Sequence, residues 1–452
     1  MKIIVIGGGK IGVTILSALI AEGHEITAID SDPAVINEIT NTHDAIGVVG
    51  NCVDCDVLSE AGVEAAELLI ATTGSDEVNM LCCFIARKLG AKHTIARIRN
   101  PEYNDNSLGF LRQQLMLSMA INPEYRAARE LYHLLKLPSA ANVETFSVRN
   151  FEMIELKLKP DSPLDGLSLI QLRQKYPEKF LVCVVQRGED VFVPGGNFVL
   201  KSGDKIAVTS TPTEIHKLLR HLGLMQKQAR NVMILGASTT AYYLSKMLLA
   251  GGNNVKIIDK DLARCQKFSE ELPEAVIIHG DGAQQELLLE EGLRSMDAFV
   301  SLTGMDEQNI LLSYFASSQQ VPKTIAKVNR DEFAAMAEHL GLDSLISPRK
   351  TIANITTRYA RALENSKDSS METLYNLMGG KAEALEFIVR HDCEIINIPL
   401  KDLQLKPNVL IAGIFRNKRI IIPAGDDVIM EGDKVVLLAA GHRVNLLSDI
   451  MK

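Results

Sequence analysis

The chain has 452 residues, 46% of them apolar and 23% charged, with a formal net charge of −8. That balance belongs to a globular protein long enough for several domains, and an acidic surface argues against nucleic acid as a partner. No apolar run approaches the ~18–20 residues that cross a bilayer, and the strand pattern that begins at Lys2 predicts no secretion signal.

In chain order, apolar strand patterns are predicted at Lys2–Ile6, Glu25–Asp30, Ala45–Val49, Leu68–Thr72 and Thr94–Arg99. Helical patterns fall between them at Lys10–Ala21, Pro33–Asn41, Asp54–Ala61 and Glu77–Leu89. Ile11, Ile15 and Leu19 give the first helix one buried face, and Gly23, Gly62 and Gly90 fall where helices stop. Continuous apolar strands alternating with helices predict a parallel sheet covered on both faces. A further helix opens at Pro123 (Glu124–Leu135) and ends before Pro138.

From about Glu144 to Leu224 the pattern changes. Phe151–Leu158 alternates, Phe180–Gln186 is apolar, Arg187-Gly188-Glu189 is a turn, and Ile206–Thr209 adds another short strand. This predicts a small α+β module without a cluster of catalytic residue types.

The chain then repeats itself. Gly7 is matched by Gly236, Asp30 by Asp259, Pro194 by Pro423 and Gly203 by Gly432, at one constant offset. One position further on, Thr73-Gly74-Ser75-Asp76-Glu77 is matched by Thr303-Gly304-Met305-Asp306-Glu307. The second module is expected over Ala384 to Lys452, with a turn at Arg416-Asn417-Lys418, and the most flexible boundary at Asn365–Ser370 and Gly379-Gly380. The predicted architecture is α/β: two Rossmann-like parallel-sheet nucleotide-binding domains, each followed by a small α+β C-terminal module, in tandem. The expected limits are 1–137, 138–224, 230–370 and 371–452. The helices after Pro123 and Pro348 carry apolar faces (Leu131, Leu134, Leu135; Ile352, Ile355, Tyr359) with no evident partner in their own domain, which predicts exposed patches and self-association.

Gly7-Gly8-Gly9-Lys10-Ile11-Gly12 lies between a strand and a helix, and Asp30 ends the next strand. Gly7 suits the tight turn, Gly9 the close approach of a pyrophosphate and Gly12 close packing of helix on sheet. Free N–H groups at a helix start favour phosphate. A carboxylate at Asp30 would accept from ribose hydroxyls and disfavour a 2′-phosphate, so NAD(H) is expected over NADP. Asn51, Thr73 and Gly74 lie at carboxyl ends of strands, where ligands of open parallel sheets bind, though Asn and Gly also serve as turn residues. Arg97, a charge in an apolar strand, either reaches a phosphate or pairs with an acid such as Glu77.

In the second half Gly236 is kept, Ser238 and Ala241 replace glycines, and Thr239, Asp259, Thr303 and Lys327 stand at matching places. That copy either binds a nucleotide in a different pose or is structural. His24, His43 and His93 read as surface histidines, and no Ser-His-Asp, paired-carboxylate or metal constellation is present, so the available chemistry is binding rather than catalysis. The seven Cys predict free thiols in a reducing compartment. Cys52-Val53-Asp54-Cys55 has redox spacing but reads as loop packing without a second ligand pair, and Cys82-Cys83 as core.

Lys2–Gly12, Asp30, the run Ala71-Thr72-Thr73-Gly74-Ser75-Asp76-Glu77-Val78-Asn79, Ile95-Ala96-Arg97-Ile98-Arg99 and Pro101-Glu102-Tyr103 together resemble the regulatory subunits of Trk-type potassium uptake systems. These form the TrkA family, with tandem regulator-of-potassium-conductance (RCK) domains, and the resemblance spans the whole chain. It implies a cytoplasmic protein, peripheral on the inner face of the membrane, that docks on a potassium channel or transporter subunit. It also implies self-association as a dimer or tetramer, and NAD(H) or adenine nucleotides such as ATP and ADP as effectors. Gly7 to Gly12, Asp30, Thr73, Gly74 and Arg97 correspond to the family's nucleotide contacts, and Gly236, Asp259 and Asp281 sit at matching places in the second half. The alternatives are a soluble NAD-dependent oxidoreductase or a regulator of another cation transporter.

Overall fold

The structure, a computed structural model, describes all residues except 104, 147–149, 226–227, 343, 366–370, 392, 418, 443, 445 and 452. The first nucleotide-domain fold runs β1 (Lys2–Ile6), α1 (Lys10–Ala21), β2 (Glu25–Asp30), α2 (Pro33–Thr42), β3 (Ala45–Val49), α3 (Cys55–Glu60), β4 (Leu68–Ala71), α4 (Asp76–Leu89), β5 (His93–Arg97), α5 (Asp105–Gln114), β6 (Met119–Ile121) and α6 (Pro123–Lys136). The module after it comprises β7 (Asn142–Thr145), β8 (Glu152–Lys157), α7 (Leu169–Lys175), β9 (Leu181–Arg187), β10 (Asp190–Phe192), β11 (Lys205–Ser210) and α8 (Pro212–His221).

The second half repeats both. Its nucleotide-domain fold is β12 (Asn231–Leu235), α9 (Thr239–Ala250), β13 (Asn254–Asp259), α10 (Leu262–Glu271), β14 (Val276–His279), α11 (Gln285–Glu290), β15 (Ala298–Ser301), α12 (Asp306–Ser318), β16 (Lys323–Lys327), α13 (Asp331–His339), β17 (Leu345–Ile346) and α14 (Pro348–Asn365). Its module is β18 (Met371–Leu377), β19 (Ala382–Ile388), β20 (Val409–Arg416), β21 (Arg419–Ile421) and β22 (Lys434–Ala440).

Contacts divide the chain into two compact units, each drawing on both halves: Met1–Tyr132 with Asn231–Ala360, and His133–Arg230 with Arg361–Lys452. In the first unit both sheets are six-stranded with the same doubly wound order, β3-β2-β1-β4-β5-β6 and β14-β13-β12-β15-β16-β17. All their pairings are parallel. The predicted α/β class is thereby present twice. Central strands are covered on both faces: Ile3 to Ile6 are each at most 2% exposed. Strand order reverses between β1 and β4, leaving a crevice at their carboxyl ends.

In the second unit two five-stranded antiparallel sheets share the order β10-β9-β11-β8-β7 and β21-β20-β22-β19-β18. One core holds residues of both modules, with Phe151 against Phe415 and Phe146 against Tyr375. A methyl group on Gly413 would stand 2.8 Å from the Phe151 ring, so this glycine makes room for the neighbouring module's phenylalanine.

Several expectations need correcting. The faces of α6 and α14 are not exposed patches: Leu131, Leu134, Leu135 and Ile352 are at most 2% exposed, and Ile355 is 9% exposed, in a single chain. Their apolar spacing records burial against other parts of the same polypeptide. Gly379-Gly380 is a turn inside the hairpin β18–β19 rather than a boundary, and strand β18 joins the sheet from ahead of Ala384. Residues 366–370 of the expected boundary lie outside the described residues. Strand β8 does not alternate: Met153 to Leu156 are all buried, because the sheet is covered on both sides, and Glu155 is held by Lys205 at 3.0 Å. His24 is buried, because the Gly23 turn folds the chain back so that the His24 N–H donates to the Leu19 carbonyl at 3.2 Å.

Candidate nucleotide site

The site is built at the carboxyl ends of β1, β2 and β4. Gly7 has φ +90° and donates its N–H to the Ile29 carbonyl at 2.9 Å. A side chain there would be strained in the backbone and would meet the Thr72 carbonyl carbon at 3.0 Å. A Cβ on Gly12 would stand 1.8 Å from the Gly7 carbonyl oxygen, so only glycine lets α1 start this close to the strand end. A Cβ on Gly8 would meet Val35 at 2.3 Å. Gly9 differs from the other three: nothing lies within 4 Å of where its Cβ would stand. The protein itself does not require glycine at position 9. A glycine here keeps the space in front of the helix start clear.

Gly9 is the N-cap of α1 and offers no side-chain cap, so the helix start faces that space with its own N–H groups. Lys10 is exposed and Ile11 half-buried on the first turn. Asp30 fastens the loop: its Oδ2 accepts from Gly8 N at 2.7 Å and its Oδ1 from Asp32 N at 2.9 Å. It lies at the rim of the crevice, half-buried, with lone pairs left over for further donors. An uncapped helix start, a glycine beside open space and a carboxylate at the end of β2 are the donor and acceptor set that a dinucleotide's pyrophosphate and ribose require.

On the opposite wall, Thr73 follows β4 and Gly74 is exposed. Both Thr73 N and Thr73 Oγ1 donate to Asn79 Oδ1, at 2.8 and 2.7 Å, while Asn79 Nδ2 donates to the Arg97 carbonyl at 2.9 Å. Fully buried Asn79 thus ties the ends of β4 and β5 to α4. Asp76, 5% exposed, does similar work: its Oδ2 accepts from Arg99 N at 2.7 Å and Asn100 N at 2.8 Å. Neither residue is among the nucleotide contacts expected from the glycine loop and its surroundings. The repeat carried the signal, since Asp306 and Asn309 recur at the matching places and make the matching bonds.

Of the two readings of Arg97, the structure displays an acid pairing, but with Glu124 of α6 at 2.8 Å rather than Glu77. Glu77 instead accepts from Ser75 Oγ at 2.7 Å and Tyr103 Oη at 3.0 Å. Asn51 is exposed at the rim, its Oδ1 accepting from Val53 N at 3.3 Å. The Cys52 and Cys55 side chains part company. Cys52 is buried, where contact with the Cys82 thiol and burial hold its thiol far above the usual range, and Cys55 is exposed.

The second copy keeps the frame and changes the opening. Gly236 has φ +98°, and Asp259 accepts from Ala237 N at 2.6 Å and Asp261 N at 2.8 Å, the same clamp as in the first half. Asp259 is however only 8% exposed. Ser238 caps α9 by accepting from Ala241 N at 3.3 Å, which engages an N–H that the first copy leaves uncapped. Thr239 is exposed on the first turn, and Asp281, equivalent to Asn51, accepts from Ala283 N at 3.0 Å. Thr303 is gripped by Asn309, and Lys327 Nζ donates to the Leu302 carbonyl at 3.1 Å, with burial pulling its pKa down.

Profiles of the TrkA-N domain match residues 3–122 and 232–348, and profiles of the TrkA-C domain match 153–223 and 384–452. The "Trk system potassium uptake protein TrkA homolog" of Archaeoglobus fulgidus is 31% identical, covering 100% of both chains. The Vibrio alginolyticus "Trk system potassium uptake protein TrkA" is 29% identical over 98% of this chain and 96% of its own. Among solved structures, the GsuK RCK domain superposes with a TM-score of 0.65 at 17% identity, covering 97% of this chain and 92% of that one. The GsuK channel bound to NAD gives 0.64, covering 97% and 77%. At that identity the likeness is one of fold. No helix among the described residues is long and apolar enough to cross a membrane. Two TrkA-N and two TrkA-C domains in alternation, on an RCK-type fold and with full-length relatives, establish that this chain belongs to the TrkA family.

Proposed function

We propose that this protein is a nucleotide-sensing regulatory subunit of a potassium uptake system. In this reading it docks on the cytoplasmic face of a membrane channel or transporter subunit and shifts its conductance when a nucleotide binds. The observation that carries the reading is the open space before Gly9, at an uncapped helix start beside Asp30, in a chain whose full-length relatives are named for potassium uptake. NAD(H) is the ligand of the first site. Gly7 to Gly12 would hold the pyrophosphate, Asp30 the ribose hydroxyls, and Asn51, Thr73 and Gly74 would line the rim, with Arg97, paired to Glu124, fixing the end of β5 behind them. The second site, Gly236 to Thr239 with Asp259, Asp281, Thr303 and Lys327, takes a nucleotide weakly or in another pose, since Ser238 already engages the helix start. Adenine nucleotides such as ATP and ADP are competing effectors.

The domain limits of this reading are 1–137, 138–224, 230–370 and 371–452. Its output is a change of shape: a ligand moves an equilibrium only by its different affinity for two states. Self-association and docking then transmit that shift. The test is calorimetric titration with NADH, NAD, ATP and ADP, together with co-purification of the chain with a multi-span membrane protein. Binding without NADH consumption, and capture of a potassium transport subunit, are expected. Steady oxidation of NADH by a small carbonyl substrate would replace this reading with that of a dehydrogenase.

A further inference from the structure

Within the first unit, helix α9 of the second nucleotide domain touches the start of α6 of the first. Tyr243, on the second turn of α9, donates its hydroxyl hydrogen to the Arg99 carbonyl at 2.9 Å, and its oxygen accepts from Asn122 Nδ2 at 3.0 Å. The Tyr125 ring meets the Tyr243 ring edge-on, centroids 5.3 Å apart. Past the far end of the helix, a Cβ on Gly251 would stand 3.0 Å from the Tyr132 hydroxyl, a second point at which the α9 segment approaches α6. Burial pushes the Tyr243 hydroxyl up to about 12, so it remains a donor over the whole working range of pH.

Arg99 carries this contact to the first site. Its backbone N–H is fixed by Asp76, and its guanidinium donates to the carbonyl of Gly74, in the loop that forms one wall of the crevice. The connection therefore runs from α9, whose first turn follows the second glycine loop, through Tyr243 and Arg99, to the Thr73-Gly74 loop. The tandem repeat does not mirror it. The residue equivalent to Tyr243 is Thr14, whose hydroxyl donates to the Lys10 carbonyl of its own helix at 2.8 Å. The residue equivalent to Asn122 is Ser347, which caps α14 by accepting from Lys350 N at 3.3 Å as Asn122 Oδ1 caps α6 by accepting from Tyr125 N at 2.8 Å, but which has no amide nitrogen to donate as Asn122 Nδ2 does to Tyr243.

We propose that Tyr243 completes the first nucleotide site from the second domain, as a positioning residue that holds Arg99, and through it the Thr73-Gly74 wall, for the bound nucleotide. The inference rests on the reading that the first site takes NAD(H). It assigns the second domain a role at the first site whatever the second glycine loop itself binds. The two domains are then one binding unit, and occupancy or movement at the start of α9 is felt as affinity at the first site.

The experiment is calorimetric titration of the full chain with NADH, with ligand-free thermal melting beside it. The variants are Tyr243→Phe, Arg99→Ala, the double variant, and Gly9→Ser as a control for the site. One lost buried hydrogen bond corresponds to a weakening of about threefold to tenfold. Tyr243→Phe and Arg99→Ala should each show it, and the double variant should be no weaker than the weaker single, because both act through one connection. Removing a bond already made in the ligand-free protein should lower the Tyr243→Phe melting temperature modestly, and the rise in melting temperature that NADH brings should shrink as well, which a purely structural role would not produce. If Tyr243→Phe does not fold, Asn122→Ser, which keeps an oxygen to cap α6 in place of the Oδ1 that accepts from Tyr125 N (2.8 Å) and removes the Nδ2 donor to the Arg99 carbonyl (3.3 Å), should weaken NADH likewise. NADH affinity unchanged in Tyr243→Phe, or independent effects of the two single variants, overturns the inference while leaving the site reading intact. Absence of NADH binding by the unaltered chain, or indifference to Gly9→Ser, overturns the site reading and this inference with it.

Discussion

Each glycine of the first loop answers to a different constraint, and substitution should separate them. Gly12→Ala places a Cβ 1.8 Å from the Gly7 carbonyl oxygen and has no room to relax without moving α1. It should destabilise the domain by about 1–3 kcal/mol, read as a lower urea midpoint. Gly9→Ser meets open space, so stability should stay within about 0.5 kcal/mol while tight NADH binding is lost. Ser238→Gly, the reverse exchange in the second copy, should raise nucleotide binding there. Equal stoichiometry and affinity in both variants would contradict unequal sites. Asp30 has two jobs, since it clamps Gly8 N as well as facing the rim. Asp30→Ala should therefore weaken NADH by about tenfold to a hundredfold and also loosen the loop, whereas Asp30→Asn, which keeps an acceptor, should retain more of the stability than of the affinity. A folded Asp30→Ala variant with unaltered NADH affinity would remove the residue from the site.

At the scale of elements, the ends of β4 and β5 are joined through buried side chains rather than by the sheet ladder alone. Asn79→Ala would strip Thr73 N and the Arg97 carbonyl of their partner. Leaving buried groups unsatisfied costs about 1–3 kcal/mol each, so this should be among the more damaging single changes in the first domain, with Asn309→Ala doing the same in the second. In the second unit, Phe151 fills the space that Gly413 leaves open across the two modules. Phe151→Ala should cost about 3–5 kcal/mol. Gly413→Ala should also destabilise, because its Cβ would press on the same ring, and thermal melting distinguishes both from surface controls.

At the scale of the whole molecule, each unit takes equivalent parts from both halves of the chain, so the covalent link joins what is architecturally a pair. Fragments 1–224 and 230–452, expressed separately with a tag on one, should co-purify. Stable, monomeric and independently folded fragments would contradict the core that the two C-terminal modules share. The buried faces of α6 and α14 stabilise the single chain and give no argument for further association. Self-association of the intact chain, which the proposed function requires, must use other surfaces. Light scattering at micromolar concentration should report a mass above one chain, and a monomer there would count against a regulatory assembly.

Local pattern and internal repetition made much of the protein legible. Continuous apolar strands alternating with helical patterns announced two parallel sheets, and the spacing of Gly7, Gly9, Gly12 and Asp30 announced a strand–turn–helix corner, because periodicity and glycine placement are local signals even where the finished corner leans on Thr72 and Asp30. Partner choice was not legible. That Arg97 pairs with Glu124 and not Glu77, that Asn79 bridges two strand ends, and that Phe151 packs on the other module depend on contacts between segments far apart in the chain. An amphipathic helix likewise announces that its apolar face is covered without saying by what. The periodicity of α6 and α14 marks their apolar faces, and only the tertiary structure shows that the cover comes from the same polypeptide. Side-chain spacing fixes which face is apolar, whereas the matching surface is a property of the folded whole.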